Sequence, residues 1–151
     1  MKIMTMLHIF FVVIWVGGMF FAHQILRPVA ADLLEPPQRL TQWVGVFKRF
    51  FPWVWISIAV ILATGLTMIG LLGGMGAIPL YVHAMLALGL AMMGIFAHVF
   101  FSPYRHLQRH VAGQDWKSGA AALASIRKLV GINLVLGLIT IAVATVRPMF
   151  A

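Results

Sequence analysis

The sequence predicts an all-α integral membrane four-helix bundle built from two parallel helical-hairpin repeats. Composition gives the first reason: 62% of the 151 residues are hydrophobic and 9% charged, with a mean hydropathy of +1.00, far from the balance of a soluble domain. Length gives the second. Four stretches, about Ile3 to Leu26, Trp53 to Leu72, Leu80 to Phe101 and Leu129 to Val146, each come near the roughly 20 apolar residues of a helical crossing. Internal similarity gives the third. Displacing the sequence by 75 residues lays His8 on His83, Phe21 on Phe96, Ala22 on Ala97, His23 on His98 and Pro28 on Pro103. At a displacement of 79, Lys48 and Arg49 fall on Arg127 and Lys128, so spans one and two read as one hairpin and spans three and four as its copy. The two copies are then related by an axis along the membrane normal.

Span one ends in FAHQILRP, residues 21–28. Its apolar run exceeds the ~7–15 residues of a signal-peptide core, and its match to span three makes it a mature helix. The following connection, PPQRLTQWVGVFKRFFP, sets Leu40, Trp43, Val44, Phe47 and Phe51 against Gln38, Gln42 and Arg49, which predicts an amphipathic helix lying in the membrane interface. Span two leads through the short LLGGMGAIP to span three, which closes on FAHVFFSP, residues 96–103. The third connection, YRHLQRHVAGQDWKSGA, is the most polar stretch, and its Asp115 is placed to cap the helix leading into span four. The whole of 1–151 reads as a single four-span domain.

A net charge of +8 would suggest nucleic acid in a soluble protein, but the basic residues are concentrated between spans, the termini offering only Lys2 and Arg147. Arg27, Arg39, Lys48 and Arg49 flank the first connection, and Arg105, Arg109, Lys117, Arg127 and Lys128 the third; the second has none. By the positive-inside rule the long connections are cytoplasmic, with both termini on the opposite side. The charge is topological, its partner is the lipid bilayer, and nucleic acid is excluded. The absence of cysteine removes disulfides and thiolate metal sites.

Spans one and three each carry two histidines 15 residues apart, a rise of roughly 22 Å. His8 and His83 therefore share one level, and His23 and His98 the other. With parallel spans on the bundle diagonal, each level would present two imidazoles across the interior, the requirement for haem ligated on both faces. The angle is less favourable, because 15 residues leave the two histidines of one helix about 60° apart. The intervening positions are Val12, Trp15 and Met19 in span one and Ala87, Leu90 and Gly94 in span three, the last three small enough in part to admit a macrocycle. The expectation is two bis-histidine haem b groups, with His8, His83, His23 and His98 as metal ligands. A single histidine on a helix is usually a packed residue, but buried ionisable groups in hydrocarbon are costly, and four in matched register point to ligation. His106 and His110 read as solvated.

Ligating histidines need their second nitrogen held, and haem propionates need cations. Ser57, Thr64, Thr67, Asn133 and Thr140 are available for the first task, Asn133 being the most distinctive. For the second, Arg27, Lys48, Arg49, Arg127 and Lys128 stand at the cytoplasmic level, where each is otherwise an ordinary interfacial anchor. Copper is the alternative cofactor. Met4, Met6 and His8 form a Met-x-Met-x-His run, and Met75, His83, Met85 and Met149 belong to the same half; thioether and imidazole suit Cu(I), although methionine also serves as a gap filler.

LHIFFVVIWVGGMFF and the LRP exit in span one, KRF before span two, Thr64-Gly65 within it and INLVLGLITIAV in span four together resemble the copper resistance protein D (CopD) family. That resemblance implies a bacterial inner-membrane protein of copper uptake or tolerance. Span one is also similar to the HemJ-type protoporphyrinogen oxidases, which implies haem b chemistry with His8 at the matching histidine; the His-x-Lys of that family reads His83-Ala84-Met85 here. The two stacked histidine levels are similar in architecture to the two-haem core of b-type cytochromes.

The functional expectation is a di-haem b-type membrane cytochrome passing electrons across or within the inner membrane, in which case it is a haem-dependent oxidoreductase with a quinone, a cytochrome or a small oxidant as redox partner. The alternatives are a CopD-type copper protein, HemJ-like porphyrinogen oxidation, and a scaffold subunit of an oligomer. Asp32, Glu35 and Asp115 all lie in connections, so no buried acid supports proton-coupled transport, and no nucleophile with its base supports a hydrolase.

Overall fold

The computed structural model describes residues 1–146. Helix α1 (Lys2–Phe20) runs through a π-helical segment, Phe21–Leu26, into α2 (Arg27–Leu33). After a short break come α3 (Pro36–Leu71), α4 (Leu80–Phe101), α5 (Pro103–Ala112) and α6 (Trp116–Val146). Four continuous or nearly continuous rods result, of 32, 36, 33 and 31 residues, each long and apolar enough to cross a membrane. The protein is a multi-pass membrane bundle of two helical hairpins, α1 with α3 and α4 with α6; α6 also meets α1 and α3.

Proline explains where the two repeats differ. Pro28 has no N–H and its ring crowds the carbonyl four residues back. The helix absorbs this by widening: the Arg27 N–H bonds to the Ala22 carbonyl, five residues away, a π-type turn that carries His23 with it. At the equivalent Pro103 the chain instead breaks, with Ser102 at φ −118°, ψ −88°, and α5 starts afresh.

The predicted interfacial helix is not a separate element. α3 continues from Pro36 through Pro52 to Leu71 over 36 residues, roughly 54 Å at 1.5 Å per residue, well beyond the ~30 Å hydrocarbon core. Its apolar side is real, but it faces protein rather than lipid. Leu40, Trp43, Phe47, Phe51, Val54 and Ile58 are buried in one stripe of three- and four-residue steps, covered by α5 and the first half of α6. Phe47 stacks on Phe51 at 4.9 Å, and Phe51 meets Tyr104 edge-on at 4.8 Å. The bundle thus extends past the apolar zone at the end that carries the arginines and lysines, hereafter the basic end.

Phe96 occupies the middle of the bundle. It packs edge-on against Trp15 at 6.3 Å, Phe51 at 5.2 Å and Trp55 at 5.1 Å, so rings from α1, α3 and α4 fill the interior. Beside them Gly137 lets α6 approach: a Cβ there would stand 2.9 Å from Val16 Cγ2 and 3.2 Å from Met92 Cε. Asn133, one turn earlier, donates from Nδ2 to the Met92 carbonyl at 3.2 Å. In hydrocarbon, where apolar side chains gain little by leaving lipid, such close approach and interhelical hydrogen bonding hold helices together.

The connections are formed as their residues require. Gly73 and Gly74 have φ of +101° and +85°, conformations open to glycine at little steric cost. Asp115 caps α6 as predicted, accepting from the Ser118 N–H at 3.1 Å through Oδ1, while its Oδ2 lies 3.4 Å from His110 Nδ1.

Two outcomes follow. Gly137→Leu should destabilise the bundle by about 1–3 kcal/mol, the usual cost of overpacking, read as a lower apparent unfolding midpoint in detergent, whereas Gly89→Leu, with open space around it, should change little. The hydrogen bonds from Ser118 hold the Asp115 carboxyl below its usual pKa, so its contribution is complete above the unfolded-state carboxyl pKa and is lost as pH falls through the folded value. Asp115→Ala should lower the midpoint at pH 7 and flatten its acid dependence; Asp115→Asn should retain the cap at pH 7.

Candidate functional site

Each histidine of α1 and its π-helical continuation is directed at a glycine of a neighbouring helix. A Cβ on Gly65 of α3 would stand 3.3 Å from His8 Cε1, and one on Gly131 of α6 would stand 3.0 Å from His23 Nε2. His8 therefore lies against α3 and His23 against α6. The two histidines of span one thus face different neighbouring helices and do not share one interior face.

The hydrogen bonds of His8 fix its proton. Thr64 has one hydroxyl hydrogen, and it is directed to the Val60 carbonyl at 2.6 Å, the usual back-bond of a threonine within a helix. His8 Nδ1 lies 2.9 Å from the same oxygen. With its hydrogen directed to Val60, or to Ile61 at 3.2 Å, Thr64 Oγ1 is an acceptor for Nδ1–H, and in the neutral ring that arrangement leaves the lone pair on Nε2. His83 shows the same arrangement by another route, its Nδ1 standing 3.2 Å from the carbonyl of Pro79, which only accepts. Both histidines at the N-terminal end thus set Nδ1 against an oxygen acceptor, which in the neutral ring leaves Nε2 as the nitrogen able to bind a metal.

Span three is turned differently from the expectation. Met92, Phe96 and Val99 are its buried residues, and they lie about 180° around the helix from the His83, Ala87, Leu90, Gly94 and His98 stripe. Ala87, Gly94 and His98 are exposed, and Leu90 is 52% exposed. The expectation that this stripe lines the interior is corrected: Phe96 takes the central place, because a bulky ring fills the space among Trp15, Phe51 and Trp55. In span one, by contrast, Trp15 and Met19 are buried as expected, each 3% exposed.

At the basic end the two histidines open onto separate clefts. His98 lines an open one of about 600 Å3 together with His106, His110 and Lys128; His106 is exposed and His110 half-buried. His23 lines another, of about 400 Å3, with Arg27, Arg39 and Arg127. Lys48 and Arg49 are exposed on α3. Asn133 serves the α4 backbone and leaves its Oδ1 buried without a partner, as are Trp15 Nε1 and His23 Nδ1. Ser57, Thr67 and Thr140 bond to carbonyls of their own helices. Among the described residues no three His, Cys, Asp or Glu side chains gather closely enough to hold a metal ion.

Thioethers change that picture at the N-terminal end. Thr5 Oγ1 lies 3.4 Å from Met68 Sδ, one turn along both helices from the His8–Thr64 contact. Met68 thus stands at the same end of the α1–α3 hairpin as Met4 and His8. Sequence reasoning missed Met68 and Gly131 and met Gly65 only within the Thr64-Gly65 motif; the four-residue step from Thr64 to Met68 was the available signal. Met6 and Met75 are 62% and 48% exposed, Met85 is half-buried, and Met149 lies outside the described residues.

The profile of the copper resistance protein D (CopD) family matches residues 44–147. That is more than two-thirds of the chain, and the protein belongs to the CopD family. The match takes in α4, α6 and nearly all of the second span, with Met68, His83 and His98, and begins after the helix that bears His8 and His23. No curated protein and no solved structure matches the chain.

Proposed function

We propose that this CopD-family membrane protein takes Cu(I) as its cargo at the N-terminal end of the α1–α3 hairpin, through Met4 Sδ, His8 Nε2 and Met68 Sδ, in copper uptake or tolerance. The observation that carries the reading is the Thr64 hydroxyl. Its distances to Val60 and His8 support a neutral His8 with its lone pair on Nε2, beside a helix pair that brings Met68 to Thr5. Two thioethers and a neutral imidazole form a soft, uncharged donor set that suits Cu(I) over Zn(II) or Mg(II). The basic end, by its lysines and arginines, is assigned to the cytoplasm, so this site would face the periplasm.

A two-haem reading has one observation in its favour, the shared tautomer of His8 and His83. Against it stand the outward turn of the His83–His98 stripe, the separate clefts of His23 and His98, and the aromatic filling around Phe96. A porphyrin held between α1 and α4 does not fit that interior.

Anaerobic Cu(I) titration of the purified protein against a chromophoric competitor tests the proposal. Binding should weaken by about tenfold or more in His8→Ala and in Met68→Leu, and by about 10–100-fold in Thr64→Val, which removes only the group orienting the ligand. Met6→Leu should bind as the parent does. Wild-type affinity in the His8→Ala/Met68→Leu double variant, or a purified protein with a Soret band and no Cu(I) affinity, would overturn it.

A further inference from the structure

Three guanidinium groups share one cleft at the basic end. Arg27 of α2, Arg39 of α3 and Arg127 of α6 line it together with His23, against the indole of Trp43 and the ring of Phe47. Guanidinium groups stay protonated at any physiological pH, so three lining one cavity repel one another. Among the described residues none of them is paired with a carboxylate; the ion-pair contact present is that of His110 with Asp115, on the far side of α6. Ordinary interfacial anchors extend into water, as Lys48 and Arg49 do. Arg27 and Arg39 are instead half-buried, with Arg127 exposed at the rim, and the wall behind them is apolar, with Trp43 and Phe47 only 6% and 5% exposed. His23 Nδ1, in the same cavity, is buried with no partner.

These features specify the ligand's chemistry. Fifteen N–H donors on three forks, five to each group, match the oxygens of a phosphate, which arginine binds in bidentate fashion. The apolar wall asks for a hydrocarbon body beside that head. The cleft, of about 400 Å3, stands where the helices leave the apolar zone, the depth at which a bilayer supplies phosphate groups. We propose that this cleft is a specific binding site for a phosphate group, that of an anionic phospholipid headgroup or of free phosphate, bound by Arg27, Arg39 and Arg127 with the glycerol and first methylenes of a lipid against Trp43 and Phe47. The proposal is independent of the copper reading, whose residues lie at the opposite end of the bundle.

Native mass spectrometry of the delipidated full-length protein tests it, with phosphatidylglycerol, phosphatidylcholine and inorganic phosphate as separate probes. Wild type should retain one phosphatidylglycerol. Arg39→Gln/Arg127→Gln should weaken that binding by about tenfold or more, the loss expected for charge-assisted hydrogen bonds, and Lys48→Gln/Arg49→Gln should hold it within about twofold. Ala124→Trp keeps every charge and obstructs the cleft, so it should also lose the lipid. Binding of inorganic phosphate with the same arginine dependence and no lipid retention assigns the site to the free anion. Equal losses in the two double variants, retention in both Arg39→Gln/Arg127→Gln and Ala124→Trp, or phosphatidylcholine held as tightly as phosphatidylglycerol would overturn the proposal.

Discussion

A threonine hydroxyl has one proton, and inside a transmembrane helix it goes to the carbonyl four residues back. At Thr64 that carbonyl is Val60, 2.6 Å away, and the oxygen left behind is an acceptor facing α1. His8 meets it at 2.9 Å. In water this would be one weak contact among many; in hydrocarbon an unpaired ring nitrogen has no solvent to turn to. The contact therefore ties α1 to α3 at this level and, in the neutral ring, leaves Nε2 as the nitrogen with the lone pair. Gly65 completes the arrangement, since any side chain there would push the imidazole away.

The same economy governs the rest of the bundle. α6 approaches α1 and α4 because Gly137 offers no side chain to Val16 and Met92, and Asn133 is spent on the Met92 carbonyl. His23 reaches α6 over Gly131. Glycine beside a back-bonded or amide side chain recurs at Thr64-Gly65 and at Asn133 with Gly137, one way in which helices hold together in a membrane.

The four spans, their pairing into two hairpins and the cap at Asp115 were legible in the sequence, because length, hydropathy and self-similarity act within one helix or between copies. The facing of the helices was not. Pro28 and Pro103 occupy the same repeat position, yet one is absorbed by a π-helical turn and the other ends its helix, so a common 75-residue displacement does not transfer a side-chain direction from span one to span three. The His83–His98 stripe looked inward by register alone; Phe96, a larger apolar group on the opposite side of the same helix, took the interior. Likewise the amphipathic stretch from Leu40 to Phe51 was recognisable as a buried face, but composition could not tell lipid from protein as its cover. Met68 went unseen because its four-residue step from Thr64 gains a meaning only when Thr64 is placed opposite His8, and Gly65 was visible only as part of a family motif.

CopD membership and the donor set at the hairpin mouth converge on copper only if His8 holds the proton where Thr64 directs it. Nitrogen-15 spectroscopy of histidine-labelled protein in lipid, with His8 assigned by comparison with His8→Gln, measures this directly. Protonated Nδ1 and unprotonated Nε2 at neutral pH, reversing or averaging in Thr64→Val, is the predicted result. A His8 that carries its hydrogen on Nε2, or an imidazolium, would contradict the account.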